Sequence, residues 1–122
     1  MIAVIGDVKR VTLRIFQGQD LDFYVSWFEA DGTTPINMAD ARAQMRAAAG
    51  TPVLLDLSDY ITIDGDTPNI AHVLVPASVT RELEPAWGVW DLNATAADSD
   101  EVKKLMRGRA RIIPGITDEV GS

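Results

Sequence analysis

The chain has 122 residues, of which 47% are hydrophobic and 24% charged, with a formal net charge of −7 and no cysteine. That length is one domain and enough to bury a core without staples, and the lack of cysteine excludes disulfides and thiolate metal sites. Eighteen acids against eleven Lys and Arg argue against free nucleic-acid binding, which depends on clustered cations.

At the N-terminus, MIAVIGDVKR has too short an apolar part for a signal peptide and no basic start. No run approaches the roughly 20 apolar residues of a membrane span. The expectation is a chain that enters no membrane. Val11, Leu13 and Ile15 then alternate with Arg10, Thr12 and Arg14, the period of a half-buried strand. After the polar break Gln17–Asp20, Leu21, Phe23, Val25 and Trp27 alternate with Asp22, Tyr24 and Ser26 in a second strand. Ala30–Pro35 contains Asp31-Gly32, a dipeptide suited to tight turns.

Ile36–Asp40 is expected to carry the chain across to another sheet. Beyond it Ala41, Ala43, Met45 and Ala47 alternate with Arg42, Gln44 and Arg46. The alanines favour helix by propensity, but strict alternation between turn signals reads as strand. Pro52 opens a short strand with Val53, Leu55 and Leu57 on one side and Leu54 and Asp56 on the other. Tyr60–Ile63 and Ile70–Val75 are two more strands around the turn Asp64-Gly65-Asp66. Pro76–Leu83 is the one predicted helical piece, ended by Pro85.

Trp87–Ala94 returns to β, Asp98-Ser99-Asp100-Glu101 forms a polar hairpin tip, and a last strand runs from Val102 to Ile113. Met106, Gly108, Ala110 and Ile112 share one of its faces, and Arg107, Arg109 and Arg111 the other. Met1–Asp7 and Ile116–Ser122 read as terminal arms. Seven or eight short antiparallel strands with turn signals between them predict a single all-β domain, an immunoglobulin-like sandwich with one short helical turn and without the antibody cysteine pair.

No catalytic constellation assembles. His72 is the only histidine, so a triad or a zinc site lacks its parts. Asp64–Asn69 has oxygen ligands at alternate positions but no closing Glu, and Pro68 disrupts the spacing of a calcium loop. Trp27 and Trp90 fall on apolar alternations and read as core, while Trp87 is the candidate exposed aromatic. No cofactor is expected. The candidate functional residues are basic: Arg42, Arg46, Arg107, Arg109 and Arg111, with Arg10 and Arg14 repeating the pattern. Seven of the eleven cations thus stand at alternate strand positions while acids crowd the turns. That segregation suits a contact between the basic face of one subunit and acidic loops of a neighbour.

The order of these motifs resembles a family of small bacteriophage virion proteins, including tail and baseplate proteins and the N-terminal domain of baseplate upper proteins. The matching stretches are Gly18–Phe28, Asp31–Pro35, Ala41–Arg46, Pro52–Leu57, Ile61–Gly65, Ala77–Leu83, Gly88–Leu92 and Gly108–Thr117. Two positions depart from the pattern: Met38-Ala39-Asp40 replaces the usual Leu-Thr-Gly, and Trp90 stands where Tyr is commoner. The resemblance implies a non-enzymatic structural component of a tailed-phage virion, made in the host cytoplasm and placed at the tail tip or baseplate. Its implied partners are other virion proteins and further copies of itself in an oligomer or ring. A head decoration or head-to-tail joining protein is the second expectation. A carbohydrate- or receptor-binding module for host recognition is the third.

Overall fold

The computed structural model describes residues 1–48 and 50–115. Ten strands lie in chain order: β1 (Ile2–Ile5), β2 (Lys9–Arg10), β3 (Leu13–Phe16), β4 (Leu21–Phe28), β5 (Met38–Arg46), β6 (Val53–Asp56), β7 (Ile61–Ile63), β8 (Ile70–Val75), β9 (Ala86–Ala96) and β10 (Val102–Ile113). A 3₁₀ turn covers Ser58–Tyr60, and the helix α1 covers Ala77–Thr80. One sheet has the order β1-β4-β8-β7, and the other β2-β10-β9-β5-β6, with β3 also paired to β10. Their inner faces enclose one core, so the chain is an all-β sandwich of the immunoglobulin-like kind.

Alternation along each strand decides which side chains enter that core. Val25 and Trp27 of β4, Ala71, Val73 and Val75 of β8, and Leu92, Ala94 and Ala96 of β9 are all buried. The indole of Trp90 meets the ring of Phe23 edge to face across the two sheets, with centroids 6.3 Å apart. In β5, Ala41, Ala43 and Met45 turn inward, because pairing on both sides by β6 and β9 overrides the helix propensity of alanine.

The strand count exceeds the sequence expectation for two local reasons. The stretch read as one strand over 10–15 is interrupted at Val11 and Thr12, so β2 and β3 are separate pieces. Both run parallel to β10, with Arg10 opposite Arg107 and Leu13 opposite Ala110. Most of the expected N-terminal arm is β1, which runs parallel to β4 with Val4 opposite Trp27. Val4 is 1% exposed, and burying it outweighs the entropy of leaving the terminus free. The other arm, 116–122, lies outside the described residues.

Two bulges correct finer details. Opposite Met45 and Arg46 the β5–β6 register shifts, and Val53, expected to share a face with Leu55, is exposed instead. In β10 the register shifts between Lys104 and Met106, so Leu105 and Met106 are both buried. The expected helix is shorter than 76–83, because only Ala77–Thr80 is helical and turn hydrogen bonds continue to Leu83.

Two glycines are demanded by close backbone approach. A Cβ on Gly108 would stand 2.1 Å from the carbonyl oxygen of Val11, and one on Gly88 2.1 Å from that of Arg46. The Val11 carbonyl also accepts the Trp90 indole N–H at 2.8 Å. The break between β2 and β3 is thereby pressed onto β10 and pinned to the core tryptophan.

Candidate functional site: an arginine-rich sheet face

The outward face of the six-stranded sheet gathers all five candidate arginines. In β10, the residues that alternate with buried Ala110 and Ile112 point outward, namely Arg107, Arg109 and Arg111. The same logic places Arg42 and Arg46 of β5 on that face, between inward Ala41, Ala43 and Met45. The parallel docking of β2 and β3 brings Arg10 beside Arg107 and Arg14 beside Arg111. Cross-strand neighbours of like charge repel, so this face concentrates positive potential on a chain whose net charge is negative.

Some of these cations are satisfied within the chain. Arg42 Nε lies 3.3 Å from Asp40 Oδ2, and Lys104 Nζ 3.1 Å from Asp91 Oδ2. Arg46 donates to the carbonyl of Thr51 and to Gln44 Oε1, the latter at 3.0 Å. The Arg111 guanidinium sits 4.2 Å from the centre of the Trp87 ring, a cation–π contact between register partners. The side chains of Arg10, Arg14, Arg107 and Arg109 make no hydrogen bond or ion pair among the described residues. Arg10, Arg46, Arg107 and Arg109 line an open concavity of about 960 Å³, together with Val89 and Asp91.

Sequence reasoning identified the arginines but not their company. Asp91 and Lys104 were not singled out, and the concavity depends on which strands adjoin. The signal for Asp91 is its place on the outward alternation of β9, opposite Arg107 and Gln44. Trp87 is 67% exposed, whereas Trp27 is 2% and Trp90 3%, in line with two core tryptophans placed by alternation and one exposed at the mouth of a strand.

The other candidate sites have structural explanations. His72 Nε2 lies 2.6 Å from Asp22 Oδ1, and its ring stacks on Tyr24 with centroids 4.2 Å apart. The Asp64 carboxylate accepts the amides of Asp66 and Thr67, closing its own turn. No three His, Cys, Asp or Glu side chains gather to hold a metal ion among the described residues. The hairpin tip 98–101 turns through Asp100, whose φ is 57°.

At the opposite end of the sandwich from that tip, motif residues of the sequence reading meet one another. Thr80 Oγ1 donates to the Gln19 carbonyl at 2.8 Å and accepts the Gly18 amide at 3.1 Å. Asp20 accepts the Ala77 amide at 2.7 Å, and Gln17 donates to the Leu83 carbonyl at 2.6 Å. The β3–β4 loop therefore caps α1 from outside, supplying a partner to a first-turn amide that the helix leaves orphaned.

No family model matches the chain, and no curated protein does. Among solved structures it is similar to CopC from Methylosinus trichosporium OB3b, with 12% identity over 69% of this chain and 72% of that one, and a TM-score of 0.43. A chicken T-cell receptor gives 8% identity over 95% and 58% of the two chains, with a TM-score of 0.48. A family 123 glycoside hydrolase from Clostridium perfringens gives 9% identity over 89% and 23%, also with a TM-score of 0.48.

Proposed function

We propose that this chain is a non-enzymatic structural component of a tailed-bacteriophage virion, in the tail tip or baseplate, whose outer sheet face docks an acidic protein surface. The observation that carries the assembly role is the pairing of Arg10 with Arg107 and of Arg14 with Arg111 on adjacent strands. Like charges directly opposite one another are destabilising, a cost that an anionic partner would offset, and a row of guanidinium groups offers forked donors suited to carboxylates. The virion setting rests on the sequence resemblance. It accords with a rigid sandwich that presents an interaction face rather than a reactive cleft. The sugar-binding reading is weaker, because Trp87 is the sole exposed tryptophan and Arg111 already covers one face of its ring.

The test is to denature purified phage particles and probe them with antibody to this chain, alongside gold labelling of intact particles. The chain is expected in the denatured particles, with gold at the distal tail. Label over the capsid or neck would move the protein to the head side. Its absence from denatured particles would remove the virion reading.

A further inference from the structure

The arginine face has a counterpart elsewhere on the same molecule. Three loops converge at the end of the sandwich where the β9–β10 hairpin lies: β4–β5, β7–β8 and β9–β10. The segment Asn37-Met38 ties them together. The Asn37 carbonyl accepts the Ala97 amide at 2.9 Å, and the Met38 amide donates to the Pro68 carbonyl at 2.8 Å. The amide of Trp27, next to last in β4, donates to the Asn69 carbonyl at 2.9 Å. The end is therefore one backbone-linked platform rather than three independent loops.

That platform is acidic, and part of its charge is unspent. Asp31 and Asp64 use their carboxylates to cap their own turns, and Glu101 pairs with Lys103 at 3.6 Å. Glu29, Asp66, Asp98 and Asp100 have side chains with no hydrogen bond or ion pair among the described residues. Four unpartnered carboxylates at one end thus match four unpartnered guanidinium groups on one sheet face.

The two sets do not neutralise each other within a molecule. The cations nearest the acidic end, Arg42, Lys103 and Lys104, are already paired locally. Arg107 lies five residues along β10 from Val102, about 16 Å at the rise of an extended strand, and Arg111 lies farther still. Those spans exceed the screening length of about 8 Å at physiological ionic strength. The charges are too far apart to attract within one copy, yet contact between copies would bring them together.

We infer that a second copy of this chain docks its acidic loop platform, Glu29, Asp66, Asp98 and Asp100, against the arginine face around Arg10, Arg107 and Arg109 of the first. This deepens the assembly role proposed above and rests on it. The contact joins two different patches, so it is heterologous and generates rings where its rotation closes and filaments where it does not. Each copy would use both patches, one toward each neighbour. The net charge of −7 opposes association at long range, and screening at ordinary salt removes much of that repulsion.

Two half-variants test this. One carries R10S, R107S and R109S, and the other E29Q, D66N, D98N and D100N. Circular dichroism first establishes that both fold as the parent does. Sedimentation equilibrium of the parent at 0.1 M salt is expected to show mass rising with concentration above the 13.3 kDa monomer and falling back toward it as salt is raised. Each variant alone should stay monomeric, with association weakened about tenfold or more. Mixed in equal amounts, the variants should form a complex of twice the monomer mass and stop there, because each retains one working patch. A parent that remains monomeric with no complex in the mixture would overturn the inference, as would either variant associating as well as the parent. Particle incorporation separates this failure from that of the wider reading. If the arginine variant is also lost from particles, the face binds a different virion protein. If it is incorporated normally, the docking role of the face fails as well.

Discussion

The hydroxyl of Thr80 stands 3.1 Å from the amide of Gly18, across 62 residues of chain, and Thr80 itself is wholly buried. A single side chain there serves as both acceptor and donor for the β3–β4 loop. Replacing Thr80 with Val keeps the volume but leaves the Gly18 amide and the Gln19 carbonyl without their partner. Such a loss costs about 1–3 kcal/mol. The urea midpoint of Thr80→Val should fall accordingly, and Thr80→Ser should recover much of it. Equal midpoints for Thr80→Val and the parent would show that water replaces the hydroxyl.

Glycine substitutions should divide sharply by location. Gly108→Ala and Gly88→Ala each drive a methyl into a backbone carbonyl 2.1 Å away, which cannot retreat without moving a strand. Overpacking of this kind costs about 1–3 kcal/mol and sometimes more. Gly65→Ala meets nothing within 4 Å, and its effect should stay within about 0.5 kcal/mol. Thermal unfolding of the three variants side by side checks the contrast.

Tryptophan fluorescence should have one accessible contributor. Trp87→Phe is expected to remove most of the emission quenched by acrylamide and to shift the remaining spectrum toward the blue, because Trp27 and Trp90 are buried. Its stability cost should be small, since an exposed cation–π contact contributes about 0.5–1 kcal/mol. Quenching that persists undiminished in the variant would mean that a core tryptophan is reached by solvent.

The turn at Asp31 should weaken in acid. Its carboxylate accepts from the Thr34 hydroxyl and from the amides of Thr34 and Thr33, and these bonds lower its pKa from the ordinary 3.8 to about 2. A depressed carboxyl stabilises the fold above the unfolded value, and that contribution is lost as the pH falls from 3.8 through about 2. Asp56 is shifted in the same direction by the hydroxyl and amide of Ser58. NMR titration of the Asp31 carboxyl should give a midpoint near 2. Asp31→Asn should flatten the part of the acid dependence that this turn supplies.

Much of the sandwich was legible because alternation is a local signal. Leu21–Trp27 declares its inner face without reference to anything distant, and β10 separates its arginines from Met106, Ala110 and Ile112 in the same way. What alternation does not contain is the identity of the neighbouring strand. The parallel pairing of Leu13 with Ala110 and of Ile2 with Val25 links segments with no turn between them to announce the contact. Bulges are equally silent: nothing in Lys104-Leu105-Met106 says that two consecutive apolar residues will both turn inward. The candidate arginines were therefore recognisable one strand at a time. The concavity, the Asp91–Lys104 pair and the like-charge rows arise only when the strands are laid side by side.

Because β3 hydrogen-bonds to β10, the larger sheet is stitched from the two ends of the described chain. During synthesis Leu13 leaves the ribosome long before Ala110, and until then its strand edge has no mate and Trp90 has no settled place for Val11. Closure of this sheet is a late event that must await β10. A nascent chain halted before β10 would expose a bare β-edge and a half-covered core, the features that draw chaperones or invite aggregation.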